Sequence, residues 1–187
     1  MRLMPFASFC AVAVCATASS ITLASPGEVK DDDLALCKAI TKAKASLSDG
    51  IRQAARTETP ISAKLERDDR GGLSLSVYTA GKGLAVHAEA NVLREWAGSP
   101  DGGRWDPRAE TFKDVEHVAR ASEQLTLMAL TSKTLIDIAS KAEKEPLGSP
   151  FSITPVRAGR RAYFEVRYLD KGRINEVRYD LLTGDKM

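Results

Sequence analysis

From Asp31 onward the apolar residues recur at helical spacing: Leu36, Ile40, Ala43, Leu47, Ile51 and Ala54 fall three or four positions apart. This spacing predicts a helical region with one buried face. Asp31, Asp32 and Asp33 stand where negative charge suits a helix N-terminus, so they read as a solvated cap rather than a cation site. Ser48-Asp49-Gly50 is expected to break the region, with Ser48 capping a new start, and Thr59-Pro60 closes it. The period then falls to two. Leu73, Leu75 and Val77 alternate with Ser74, Ser76 and Tyr78, as a half-buried strand requires. A turn at Gly81-Lys82-Gly83 leads to a second alternating run, Leu84, Val86, Ala88 and Ala90, and the two predict a β-hairpin. Ile61 to Arg67 reads as an earlier strand, joined through the turn-forming residues 68–72. Residues 97–103 are dense in breakers and read as a linker.

The order then repeats. Val115, Val118, Ser122, Leu125, Ala129, Leu135, Ile136 and Ala139 keep to helical spacing over a length that predicts a break near Thr131-Ser132, one of which would cap the last helix. Strands are expected at about Phe151–Val156, Ala162–Leu169 and Arg173–Leu181, with turns at 158–160 and 170–172. Sliding the chain along itself by 89 residues superposes Leu36 on Leu125, Leu47 on Ile136, Val77 on Val166, Lys82-Gly83 on Lys171-Gly172 and Asn91 on Asp180. The expected fold is α+β, made of two similar units, each a helix packed on a three- or four-stranded antiparallel sheet. The expected boundaries are a signal peptide over 1–24, a first unit over 25–96, a linker over 97–110 and a second unit over 111–187.

The signal peptide rests on Arg2, the small and apolar run after it, and the absence of any acid before Glu28. The run is too short and too broken by Ser and Thr to span a bilayer, which takes roughly 20 apolar residues. Cleavage before Ser25 is preferred to cleavage before Ser19. Val14 before Cys15, inside the run, argues against lipidation there. About 160 residues would remain, enough for one domain, in the periplasm or outside the cell. Losing Arg2 takes the net charge from +2 to +1, which gives no reason to expect a nucleic acid as partner. No later segment is apolar enough to span a membrane. Cys37 alone remains of three cysteines and reads as a small apolar residue on a helix.

Catalytic and metal patterns are not visible. His87 and His117 lack a second His or Cys at ligand spacing, although His87 and Glu89 would share a strand face. There is no Gly-x-Ser-x-Gly turn, and Ser74 and Ser76 read as exposed strand residues. No dinucleotide or phosphate loop is present, and Asp101 to Asp106 lacks the oxygen pattern of a calcium loop. Arg157, Arg160 and Arg161 read as a solvated hairpin end. The sequence therefore implies no catalytic residue, no metal and no cofactor. Tyr78, Trp96, Trp105 and Tyr163 are the large side chains that could anchor a partner if exposed.

The C-terminal stretch Ala162 to Asp185, AYFEVRYLDKGRINEVRYDLLTGD, resembles a PepSY domain: a tyrosine-bearing strand, a turn, a second strand, and Asp180 followed by Thr183-Gly184. Thr131 to Ala142 looks like the helix that precedes these strands in that family. The match covers about the last third of the chain, and the first half would be a degenerate copy with Asn91 in place of the Asp. The resemblance implies a helix on an antiparallel sheet and a non-catalytic role: inhibiting or regulating a peptidase, or sensing, at the cell envelope. The β-lactamase inhibitory proteins suggest a similar tandem architecture. Against this stand an envelope enzyme of unrecognised type and a structural envelope protein.

Overall fold

The computed structural model describes residues 31–68 and 70–187, with side chains described from Leu34 onward. The proposed signal peptide lies outside the described residues. In chain order the elements are α1 (Asp31–Ile40), α2 (Leu47–Ala54), β1 (Thr59–Arg67), β2 (Leu73–Ala80), a 3-10 turn (Ala88–Ala90), β3 (Leu93–Gly98), β4 (Arg108–Thr111), α3 (Val115–Ala129), α4 (Leu135–Ala142), β5 (Ser149–Ala158), β6 (Arg161–Asp170) and β7 (Arg173–Asp180). The seven strands form one antiparallel sheet in the order β4-β3-β2-β1-β5-β6-β7. The fold is thus α+β, and the strands expected in separate sheets of three or four join across β1 and β5. That junction is narrow, with only Ala63↔Ile153 and Lys64↔Ser152 in register.

Of the two breaks in the helical regions, the first falls earlier than the sequence suggests, while the second falls at residues 130–134 as expected but with a different cap. The first lies at 41–46, and Ser46, not Ser48, caps α2: its hydroxyl accepts the Asp49 N–H at 3.1 Å while the Asp49 carboxylate takes the Ser46 N–H at 3.0 Å. Gly50 sits inside α2 because the helix lies so close to β2 there that a Cβ would come within 2.6 Å of the Leu75 side chain. The second break ends at Thr134, which caps α4 through the same reciprocal bonds with Asp137. Thr131 bonds instead to the Leu181 carbonyl at 2.5 Å, tying the end of α3 to the end of β7.

The strand expected over residues 84–90 is not formed. Asn91 organises that segment as a loop, accepting the N–H groups of Lys82 and Val92 and donating to the carbonyls of Gly83 and Val86. The strand paired with β2 is β3 instead, from Leu93. His87 and Glu89 therefore share no strand face; His87 is exposed just ahead of the 3-10 turn. Residues 99–107 connect β3 to β4, two paired strands, and Trp105 pins this loop: its indole N–H donates to the Gly98 carbonyl and its own carbonyl accepts from Gln53 on α2.

Helices cover both faces of the sheet near β1 and β2. α2 meets Leu75, and α3 reaches Tyr78 through His117, 6.4 Å between ring centroids. Residues three apart on a strand point to opposite faces, so α2 and α3 lie on opposite sides. Ser76 and Tyr78, expected at the surface, are buried for this reason, and Ser62 on β1 bonds Gln124 of α3 at 2.7 Å within the interior. α2 and α4 pack against each other and on β1. One continuous core joins these layers, from Leu47 and Ile51 to Phe164 and Tyr179, and Cys37 is buried in it.

Candidate functional site

The sequence nominated four aromatic anchors, and the fold removes three from the surface. Tyr78, Trp105 and Tyr163 are buried, and Trp96 is half-buried with its indole N–H on the Glu58 carboxylate at 3.1 Å. A binding surface must then come from backbone, charge or smaller groups.

The outer edge of β7 is the first such surface. At its start, Lys171 (φ 48°) and Gly172 (φ 81°) both occupy the left-handed region, the two-residue turn that matches strand twist, which Gly adopts without strain. At its end, the Asp180 carboxylate accepts the N–H groups of Leu182 and Thr183 at 2.9 Å, and the Asp180 carbonyl accepts the Gly184 N–H. The Asp-Leu-Leu-Thr-Gly run is thus a reverse turn. It brings the chain back along β7, so that the Asp180 N–H bonds the Asp185 carbonyl and the Met187 N–H bonds the Arg178 carbonyl.

Those two bonds fix which backbone groups face outward. In an antiparallel strand both polar groups of a residue point the same way and alternate along the chain. Since Arg178 and Asp180 point away from β6, so do Glu176 and Ile174. The returning tail covers the first two. Among the described residues, nothing pairs with the N–H and C=O of Ile174 and Glu176, which form an open edge. At the other end of the sheet, β4 is only four residues long and fully exposed, the short form in which edge strands are usually blunted.

Beside the open edge, β6 and β7 carry a charged ladder. Glu165 stands opposite Arg178 and Arg167 opposite Glu176, and Arg178 also donates to Glu176 at 3.0 Å. The guanidinium groups of Arg178 and Arg167 lie over the rings of Tyr163 and Phe151, at 4.8 and 5.4 Å. Burial, and then the neighbouring Glu176, raise the pKa of Glu165 above its ordinary value. Arg157, at the far end of the β5–β6 hairpin, approaches Glu123 at 4.0 Å, and Arg160 and Arg161 are exposed at its turn.

A second surface is a cavity of about 580 Å³ between β3, β4 and the start of α3. His117 Nδ1 lies 2.7 Å from an Asp114 carboxylate oxygen, and its ring stacks on Phe112 at 5.5 Å. Asp114 is also the N-cap of α3, and its bonds to His117, first the backbone N–H and then the ring, lower its pKa. Glu95 and Glu110 stand directly opposite each other in the same cavity. A carboxylate-oriented imidazole can move a proton. Among the described residues, no group of three or more His, Cys, Asp or Glu side chains could hold a metal ion.

Three tyrosines record how tightly the sheet is covered. Burial, reinforced by Glu95 and Glu66, pushes the Tyr78 pKa up to about 12. Burial also raises Tyr168 and Tyr179, whose hydroxyls share a bond of 2.8 Å. An unfolded tyrosine ionises near pH 10, so the stability held by these groups is complete below about pH 10 and is lost as pH rises above it, for Tyr78 toward about 12. A spectrophotometric titration at 295 nm should show these three phenols ionising well above pH 10 in the folded protein. In denaturant, all should ionise together near 10.

No protein-family model matches the chain, and no curated protein matches it. A crystal structure from Clostridium difficile 630, provisionally named as that of a lipoprotein, is similar to it at 13% identity and a TM-score of 0.38, over 78% of this chain and 91% of that one. Among the described residues, no helix is long and apolar enough to cross a membrane.

Proposed function

We propose that the protein is an exported, PepSY-like, non-catalytic module that binds another polypeptide at the cell envelope, with a peptidase or a sensor protein as its partner. The observation that carries this reading is the open edge of β7, where Ile174 and Glu176 offer backbone groups that an extended peptide can join as an added strand. The charged ladder beside it supplies side-chain selectivity. The Asp180, Thr183 and Gly184 turn, on which the family resemblance rests, sets how much of that edge stays open.

The two-unit reading belongs to the same proposal. Ser46 with Asp49 and Thr134 with Asp137 cap two helices of eight residues by the same device, and β1-β2-β3 and β5-β6-β7 run outward from the junction in mirrored order. The first unit departs by its longer loop before β3, where Asn91 lies, and by the extra strand β4. The proposed test is affinity capture from envelope extract with the full chain, paired with a peptidase assay of the captured partner with and without the protein. Retention of a specific polypeptide and a change in its activity or signalling are expected.

An envelope enzyme is the second reading, and one observation favours it: the Asp114–His117 pair in its cavity. If a turnover screen gives a signal abolished by His117→Ala and no polypeptide is retained, that reading replaces the first.

A further inference from the structure

The junction between β1 and β5 opens at one end into a cavity of about 330 Å³, within the range of small-molecule sites. Register between the two strands stops at Lys64↔Ser152, so Leu65 and Pro150 diverge and become walls. Ile40 and Leu47 add apolar surface from the helical side. The floor is polar. Ser48, in the first turn of α2, also lines the cavity; it is 2% exposed, and its hydroxyl is the one buried side-chain polar atom without a hydrogen-bond partner among the described residues. A buried hydroxyl with no partner carries a desolvation cost that a ligand atom would remove.

The charge around this hydroxyl selects the ligand. The first N–H groups of a helix have no partner within it, and those of Leu47 and Ser48 stand at the positive end of α2. The Asp49 carboxylate nearby is held by the Ser46 N–H and hydroxyl. Lys44 lines the cavity and forms no ion pair among the described residues, whereas Glu143, which also lines it, is paired with Arg52 at 3.6 Å. We infer that this cavity binds an apolar residue bearing a free carboxylate, its side chain against Ile40, Leu65 and Pro150 and its carboxylate on Lys44, the Ser48 hydroxyl and the start of α2. Such a group is found on a free acylated amino acid or at the C-terminus of a peptide. The inference does not rest on the β7 edge.

The test is an NMR titration of the full chain with N-acetyl-leucine, N-acetyl-leucinamide and acetyl-alanyl-leucine, following the backbone amides of Lys44 to Ser48. Saturable shifts are expected with the two carboxylates, and the amide should bind about tenfold more weakly, as loss of one charge-assisted bond implies. Lys44→Met should weaken binding by a similar factor. Ser48→Ala should weaken it too, with no fall in melting temperature, because the hydroxyl it removes has no partner in the folded protein. Tighter binding of acetyl-alanyl-leucine identifies a peptide terminus as the source, and tighter binding of N-acetyl-leucine a free metabolite. The inference is overturned if no shift saturates in the millimolar range, if the amide binds as well as the acids, or if Ser48→Ala leaves affinity unchanged.

Discussion

Replacing Glu58 by alanine is expected to cost about 3–5 kcal/mol of folding stability, the range for removing one partner of a buried charged network. The residue lies just before β1, with its side chain almost wholly buried. One carboxylate oxygen pairs with the Arg94 guanidinium, and the other accepts the Thr79 hydroxyl at 2.5 Å and the Trp96 indole N–H at 3.1 Å. The substitution takes the acceptor from the Trp96 indole N–H and the counter-charge from Arg94, and leaves the Thr79 hydroxyl only a long contact to the Arg94 carbonyl at 3.5 Å. Glu58→Gln keeps the shape and an acceptor but loses the charge opposite Arg94, and should cost less. Chemical denaturation of the two variants beside the parent protein measures both, and an alanine variant within about 1 kcal/mol of the parent would mean that water reaches the site.

Gly148→Ala should be comparably damaging, at about 3 kcal/mol or more, because strain in the backbone and overpacking combine. Gly148 precedes β5 with φ at 97°, a region closed to residues with a Cβ. The added methyl would also overlap the Leu169 carbonyl oxygen and come within 2.6 Å of the Leu169 carbonyl carbon, backbone atoms held in β6. Neither can move without disturbing the pairing of Ser149 with Leu169. Thermal unfolding reads the effect, and a melting temperature equal to that of the parent would contradict it.

The last three strands were legible to within two residues, because β6 and β7 alternate cleanly and meet at a Lys-Gly turn whose backbone geometry only a few residues accept. β3 was not legible. Leu93-Arg94-Glu95-Trp96-Ala97-Gly98 has no period of two, since Arg94 and Trp96 turn toward the buried Glu58 rather than to solvent. The junction of the two halves was hidden as well. It rests on Ala63 meeting Ile153, a contact between distant parts of the chain that no local pattern encodes. Ser48 was visible as a candidate cap. Its actual place, behind the cap that Ser46 makes with an Asp, follows only once α2 is set against β2 and Gly50 is seen to need contact with Leu75. The open edge depends on which β7 residues the returning tail covers, a matter of register rather than composition.

A polypeptide that pairs with the outer edge of β7 needs the outward backbone donors of that strand, and a pair of substitutions at Glu176 separates those donors from side-chain charge. Its N–H faces away from β6, so Glu176→Pro removes an outward donor without deleting a bond inside the sheet, the setting in which edge strands tolerate proline. Glu176→Gln removes the charge and keeps the N–H. In affinity capture from envelope extract with the parent and both variants, at matched melting temperatures, the parent should retain a polypeptide, Glu176→Gln should retain the same one more weakly because the ladder loses a charge, and Glu176→Pro should lose it. Equal retention by all three proteins, or retention by none, would contradict the account.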